Sequence, residues 1–275
     1  MINTVYRLVA PRRFEVAFED INLFGENAIV RPTYLSICNA DMRYYLGTRD
    51  AKVLAEKLPM ALIHEGVGEV FLDPTGTFKT GDKVVMVPNA PVEKDEFIAE
   101  NYLRSSKFCG SSMDGFLQEF VEISPKRLVK LPDDIDMTVA AFTEIVSVSV
   151  HAISRFDKIA HARRNTISVW GDGNLGYITS LFLKYHFPKS KIVVFGTSSD
   201  KLADFTFADE THLVNEVPNG FTTDHAFECV GGNGSPIAIE QIIGLIKPEG
   251  TISILGVSEY PVPINTRMIL EKGLR

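Results

Sequence analysis

The sequence predicts a two-domain α/β protein in which a β-rich half precedes a doubly wound parallel sheet. Three observations support this. The chain has 275 residues, which is the length of two ordinary domains. Short apolar runs separated by turn residues fill the first half, and strands alternate with helices after residue 163. We place the boundary near residue 150, which gives domains 1–150 and 151–275.

The first half contains short β-branched and apolar runs bounded by Gly-Asp pairs, Pro and Asn. Such runs predict the strands of a small barrel, and we place them at 28–33, 66–72, 83–87, 116–123 and 127–131. The spacing of apolar residues then becomes helical over 137–144 and 146–156.

The second half alternates buried strands with amphipathic helices. The strands are predicted at 167–170, 192–195, 212–214, 225–228 and 251–255, and the helices at 175–185 and 236–246. Strands that alternate with helices in this way form a doubly wound parallel sheet.

Composition excludes several classes of function. A net charge of −7 argues against nucleic acid or an anionic membrane as the main partner. No apolar run reaches the length of a membrane span, and the N-terminus lacks a signal peptide pattern, so we expect a cytoplasmic protein. Cys38, Cys109 and Cys229 are odd in number and far apart, which predicts no disulfide framework.

A glycine motif lies between the strand 167–170 and the helix 175–185. It places Gly171, Gly173 and Gly176 in the spacing G-x-G-x-x-G, with Asn174 and Leu175 inside it. The first glycine permits a tight turn, the second lets the backbone approach a pyrophosphate, and the third lets helix and strand pack closely. A helix N-terminus attracts the phosphates. The motif in this context predicts a Rossmann dinucleotide-binding domain.

The end of the next strand indicates which dinucleotide binds. An NAD site usually carries an acidic residue there, bonded to the ribose 2′-hydroxyl. This chain has Gly196, followed by Thr197, Ser198 and Lys201, so no carboxylate repels a 2′-phosphate and a cation is near. We therefore expect NADPH. The alternative is that Gly196 only begins a turn and that an acidic partner such as Asp200 lies elsewhere.

Four dispersed residues are candidate metal ligands, namely Cys38, His64, Glu65 and Glu144. Thiolate, imidazole and carboxylate suit a zinc ion that keeps one position open for substrate. Each also has an ordinary structural interpretation: an inert core cysteine, an exposed charged pair and a helix surface residue. An apolar run before His64-Glu65 and glycines after it favour a buried polar pair.

With these motifs the chain resembles the medium-chain, zinc-dependent alcohol and polyol dehydrogenases over nearly its whole length. The resemblance rests on Cys38 with Asp41, on His-Glu-Gly-Val-Gly at 64–68, on Gly115-Phe116, on 144–152 and on 171–176. It implies a GroES-like catalytic domain before the Rossmann domain. Within the family, 170–177 and 226–232 most resemble the ribulose-5-phosphate reductases, which make ribitol 5-phosphate for CDP-ribitol and teichoic-acid-type polymers.

The resemblance implies an NADPH-dependent reduction of the ketone of D-ribulose 5-phosphate at one catalytic zinc, held by Cys38, His64, Glu65 and Glu144. Asp41 would orient the zinc-bound imidazole. It also implies a homo-oligomer and a cytidylyltransferase of the same pathway as partner. Arg43 and Tyr44 are candidate substrate contacts. The rival functions are an NAD-dependent dehydrogenase of a neutral polyol or alcohol, and a non-catalytic nucleotide-binding partner protein.

The sequence departs from the family in three places. Ala40 stands where many members carry a hydroxyl that relays the proton, so the proton needs another route, for example through a water held by Glu65 or Glu144. The segment 92–112 contains Cys109 alone, which predicts no structural zinc. The chain reaches Arg275 where family members continue, so we expect a C-terminally incomplete cofactor domain.

Overall fold

The computed structural model describes residues 1–275 and divides into two units, Met1–Glu144 and Ile145–Arg275. The division falls inside one helix, Thr143–Ile159. Each unit has its own hydrophobic core, and the core of the second unit combines buried strand and helix residues.

The first unit consists mainly of short antiparallel strands. They are β1 (Ile2–Ala10), β2 (Arg13–Asp20), β3 (Ala28–Ser36), β4 (Met60–Ala61), β5 (Glu65–Leu72), β6 (Lys83–Met86), β7 (Asn89–Ala90), β8 (Lys107–Phe108), β9 (Val121–Ile123) and β10 (Leu128–Lys130). Its helices are α1 (Asn39–Leu46), α2 (Ala51–Lys57) and α3 (Met137–Ala140), and α4 (Thr143–Ile159) begins here. The strand orders are β2-β1-β4, β10-β6-β5-β3-β9 and β7-β8.

The second unit is a parallel sheet with helices between its strands. Its elements are β11 (Thr166–Trp170), α5 (Asn174–His186), β12 (Lys191–Gly196), α6 (Ser199–Leu202), β13 (Glu210–Leu213), β14 (His225–Glu228), α7 (Ser235–Leu245), β15 (Ile252–Ile254) and α8 (Thr266–Lys272). The order is β13-β12-β11-β14-β15, with every pair parallel. The predicted doubly wound sheet is confirmed, and its order reverses between β11 and β14, where such sheets bind ligands.

The sequence prediction was wrong in the following places. The two helices predicted at 137–144 and 146–156 are present, but the break between them lies earlier, because α3 ends at Ala140 and α4 runs from Thr143 without a break through residues 144–146. Only Val121–Ile123 of the predicted strand 116–123 joins the main sheet. The residues before Val121 form backbone hydrogen bonds with the segment 61–63 instead. For example, the Phe116 N–H donates to the Ile63 carbonyl at 2.7 Å. The hairpin β1–β2 and the short helices α1, α2, α6 and α8 were not predicted at all.

Acidification is expected to destabilise the second unit through His225, which is fully buried. Its Nδ1 accepts a hydrogen bond from the N–H of Thr251 at 3.1 Å, and its Nε2 lies 3.1 Å from the carbonyl oxygen of Arg163. A proton on Nδ1 would therefore point at the N–H of Thr251, so that two hydrogen-bond donors would face each other. Burial, and then the neighbouring His161, lower the pKa of His225 from 6.5 to about 4.

Because folding lowers the pKa of His225, acid favours the unfolded chain. The unfolded chain takes up a proton below its pKa of 6.5, whereas the folded chain resists until about 4. The contribution of His225 is therefore complete above pH 6.5 and is lost as the pH falls to 4, by about 2 to 3 kcal/mol. Thermal unfolding followed by the fluorescence of Trp170, the single tryptophan, measures this loss. The variant His225→Gln should show a flatter profile in this window, and parallel profiles would contradict the assignment.

Candidate active site

Cys38 stands at the N-terminus of α1, where the chain leaves β3. Its backbone N–H donates to a carboxylate oxygen of Asp41 at 3.1 Å. The other carboxylate oxygen of Asp41 accepts the N–H of Ile63 at 3.0 Å. A single buried carboxylate therefore joins the start of α1 to the residue that precedes His64.

His64 and Glu65 follow a strained turn and begin a crowded strand. Ile63 has φ of 73°, a left-handed conformation that is rare for a β-branched residue. A Cβ on Gly115 would lie 2.2 Å from the Ile63 carbonyl oxygen, so only glycine allows this approach. A Cβ on Gly68 would lie 2.4 Å from a backbone oxygen of β3. Gly68 thus lets β5 pack directly against the backbone of β3.

The structure brings three of the four predicted ligands together. The candidate ligand atoms of Cys38, His64 and Glu65 all lie within 4.8 Å of one another. Nε2 of His64 is 4.0 Å from Oε1 of Glu65, while Nδ1 is 3.6 Å from Asp41. Zinc binds nitrogen, oxygen and sulfur ligands at about 2.0–2.3 Å, so two ligands 4.0 Å apart fit one ion. The donor set fits zinc, with Asp41 oriented toward the ring nitrogen that would not bind the ion.

The charges of this group influence one another strongly. Burial lowers the pKa of His64, but hydrogen bonds with Asp41 and Cys38 outweigh burial and raise it to about 10. Glu144, at the start of α4, lies outside the group of three. Burial raises the pKa of Glu144 to about 7, with the charge of His64 opposing and those of Glu65 and Asp41 adding to it. Glu144 is thus an electrostatic neighbour of the three clustered residues.

The glycine motif of the second unit has the geometry that its spacing predicts. Gly171 has φ of 132°, a conformation that favours glycine. A Cβ on Gly176 would lie 2.0 Å from the Gly171 carbonyl oxygen, whereas a Cβ on Gly173 would meet no protein atom within 4 Å. Gly176 is therefore required for packing, and Gly173 leaves open space at the N-terminus of α5.

Asp172 corrects one step of the cofactor argument. The absence of an acidic side chain at Gly196 predicted that no carboxylate lies at the end of β12, but the carboxylate of Asp172 occupies this place. It accepts the N–H groups of Thr197 at 2.6 Å and Ser198 at 2.9 Å. Burial raises its pKa, but these hydrogen bonds outweigh burial and hold the pKa below its usual value. A Cβ on Gly196 would lie 2.7 Å from Cβ of Asp172, so packing also requires this glycine.

A surface pocket of about 440 Å³ adjoins the glycine motif. It is lined by Asp172, Gly173, Asn174, Tyr177, Lys201, Asp204 and Phe205. Lys201 belongs to α6, and the hydroxyl of the N-cap residue Ser198 accepts the Lys201 N–H at 3.4 Å. Leu175 packs partly against the core of this unit. The Lys201 side chain and the N-terminus of α5 therefore border the same pocket.

The two candidate substrate contacts differ in environment. Tyr44 is 3% exposed and packs in a core cluster with Leu8, Met60 and Leu62, and its contact with substrate stays a prediction. The guanidinium of Arg49 lies over its ring at 4.8 Å. Arg43, half-buried on α1, stays a prediction.

Glu228 is a buried residue that sequence reasoning did not select. Its carboxylate accepts the N–H groups of Val230 at 3.1 Å, Gly231 at 2.8 Å and Gly256 at 3.1 Å. It therefore joins the loops that follow β14 and β15 at the carboxyl edge of the sheet. The signal that could have found it is an acidic residue at the end of an apolar strand, directly before glycines.

None of the helices combines the length and the apolar character that crossing a membrane requires.

Comparisons with known proteins agree with this geometry. Residues 25–133 match the family model of the alcohol dehydrogenase GroES-like domain. The chain is 58% identical to ribulose-5-phosphate reductase 1 of Staphylococcus aureus and 57% identical to the ribulose-5-phosphate reductase of Bacillus spizizenii. Each alignment covers 100% of this chain and 80% of the relative. The crystal structure of S. aureus TarJ in complex with NADPH superposes with a TM-score of 0.86 at 52% identity, covering 100% of this chain and 79% of that chain.

Identity above one half along the whole chain reflects common descent. The protein belongs to the zinc-type medium-chain dehydrogenases, among the ribulose-5-phosphate reductases.

Proposed function

We propose that this protein reduces the ketone of D-ribulose 5-phosphate to the alcohol of D-ribitol 5-phosphate, with NADPH as the hydride donor. The observation that carries the proposal is the cluster of Cys38, His64 and Glu65, present in a chain 58% identical to a ribulose-5-phosphate reductase. The reaction consumes one hydride and one proton for each ketone, and NADP⁺ leaves. The product would serve the synthesis of CDP-ribitol and teichoic-acid-type polymers in a pathway that includes a cytidylyltransferase.

Cys38, His64 and Glu65 would hold zinc, and Glu144 is the further candidate near them. Bound zinc supplies a Lewis acid that polarises the ketone oxygen and stabilises developing negative charge. Asp41 holds the imidazole of His64 in one orientation and ties it to the start of α1. The glycine motif and α5 would bind the pyrophosphate of the cofactor.

Replacing Lys201 by alanine is expected to weaken NADPH binding about tenfold, equivalent to ~1.4 kcal/mol, with little change for NADH. Lys201 borders the pocket close to the end of β12. A 2′-phosphate bound there would add negative charge next to Asp172, and the cation of Lys201 would offset that charge. Equilibrium binding of both nucleotides measures the effect. Lys189→Ala is the matched control, because Lys189 is exposed and precedes the amino end of β12. Equal losses for NADPH and NADH would contradict this role of Lys201.

The proposed activity is tested by following NADPH absorbance after ribulose 5-phosphate is added to zinc-loaded protein, with NADH in parallel. Rapid loss with NADPH and slow loss with NADH is expected. Oxidation of sorbitol or ribitol with NAD, without turnover of the phosphorylated ketose, would assign the chain to neutral polyols. Cofactor binding without any turnover at full zinc occupancy would overturn the enzymatic assignment.

A further inference from the structure

The strand β2 presents an apolar face to solvent. Val16 is 54% exposed and Phe18 is 72% exposed. The register of the hairpin pairs Tyr6 of β1 with Val16, so Tyr6 lies on the same outer face, where it is 42% exposed. A cluster of exposed aromatic and β-branched side chains of this kind is typical of an interaction surface.

The same strand has an open hydrogen-bonding edge, because β2 is the outermost strand of its sheet. Met1 and Ile21 exchange both of their backbone hydrogen bonds, at 3.0 and 2.8 Å. This fixes the alternation along the hairpin, so that odd-numbered residues of β2 bond to β1. Phe14, Val16 and Phe18 therefore direct their N–H and C=O groups to the free edge. None of these three positions carries the charge or proline that usually protects an edge strand.

Among the antiparallel self-pairings centred near the middle of β2, which overlap over most of the strand, the charges favour one register. An antiparallel pairing centred on Val16 places Arg13 opposite Glu19 of the second copy, and Phe14 opposite its Phe18. Each of these cross-strand pairs occurs twice because of the two-fold symmetry. Pairs of opposite charges and pairs of aromatic rings stabilise neighbouring strands. A pairing centred on Glu15 would oppose the two Glu15 carboxylates, and one centred on Ala17 would oppose Glu15 and Glu19. Like charges directly opposite destabilise both alternatives.

We propose that β2 pairs with β2 of a second copy of this chain, antiparallel and centred on Val16. The pairing joins the two three-stranded sheets into one continuous sheet and covers the outward N–H and C=O groups of Phe14, Val16 and Phe18. The interface is isologous, since the same patch is used on both subunits.

Cysteine substitutions test the register directly. Opposite residues in such a pairing have Cα atoms about 5.5 Å apart, within the range of a disulfide. The variant V16C is therefore expected to form a covalent dimer under mild oxidation. In the matched variant F18C the two substituted positions would be about 14 Å apart, too far for a disulfide. Wild-type protein under the same conditions controls for the native cysteines.

Sedimentation of the full chain provides an independent measurement. Val16→Lys places two positive charges face to face and is expected to halve the mass of the assembly. Far-ultraviolet circular dichroism, to which the strands of the first unit contribute, checks that the variant remains folded. A wild-type chain that is monomeric at tens of micromolar overturns the proposal. The same holds if V16C forms no more covalent dimer than wild type, if F18C matches V16C, or if the mass is unaffected by Val16→Lys.

Discussion

Replacing Cys38 by alanine is expected to remove bound zinc and to lower kcat/KM for ribulose 5-phosphate about 10³-fold, equivalent to ~4 kcal/mol of transition-state stabilisation. The thiolate would be one of three clustered ligands, and the two remaining candidates would hold zinc poorly. The fold should survive, because the backbone N–H of residue 38 forms the bond with Asp41 and is unchanged by the substitution. Metal analysis, steady-state kinetics and thermal unfolding together separate loss of metal from loss of fold.

Cys109→Ala is the matched control in the same unit. Cys109 is buried, and burial raises the pKa of its thiol to about 11, so it is a poor metal ligand. This variant should retain zinc and activity, with at most a small loss of stability from the smaller side chain. If Cys38→Ala retains stoichiometric zinc and most of its activity, the cluster is not the catalytic metal site. If Cys109→Ala loses zinc while remaining folded, the ligand set is wrongly assigned.

The second unit was predicted well because its signals are local. The central strands β11 and β12 are short apolar runs that are buried on both faces, and their Val, Ile and Phe residues are evident in the sequence. The first unit was predicted less completely. β2 alternates Phe14, Val16 and Phe18 with mostly charged residues, which is the period of a strand, but seven of its eight positions are exposed and the pattern was overlooked in the sequence.

The candidate metal cluster shows the same division between local and distant information. Residue types and flanking glycines selected Cys38, His64, Glu65 and Glu144, but spacing could not tell which of them converge. The convergence depends on Asp41 reaching the backbone of Ile63, a contact between residues 22 positions apart. The carboxylate of Asp172 at the end of β12 was missed for a similar reason, because its partners lie 25 and 26 positions along the chain.

Gly176→Ala and Gly173→Ala are expected to affect the cofactor domain in different ways. A Cβ at position 176 would lie 2.0 Å from the Gly171 carbonyl oxygen, so α5 and the turn before it must separate. Overpacking against backbone costs about 2 to 3 kcal/mol, which should lower Tm by roughly 5 to 10 °C and abolish NADPH binding. A Cβ at position 173 meets no protein atom, so this variant should keep its Tm. Its NADPH affinity should fall at least tenfold, because the added methyl occupies space that the pyrophosphate needs.

Gly244→Ala completes the comparison, since Gly244 lies on the exposed face of α7 and a Cβ there also meets no atom. Alanine is the better helix former, so this variant should gain up to about 1 kcal/mol and bind NADPH normally. Unfolding monitored by Trp170 fluorescence and titration with NADPH measure both quantities for all three variants. A Gly173→Ala protein that binds NADPH as tightly as wild type would show that the cofactor does not approach the backbone there. Equal losses of Tm at positions 173 and 176 would show instead that both glycines serve packing alone.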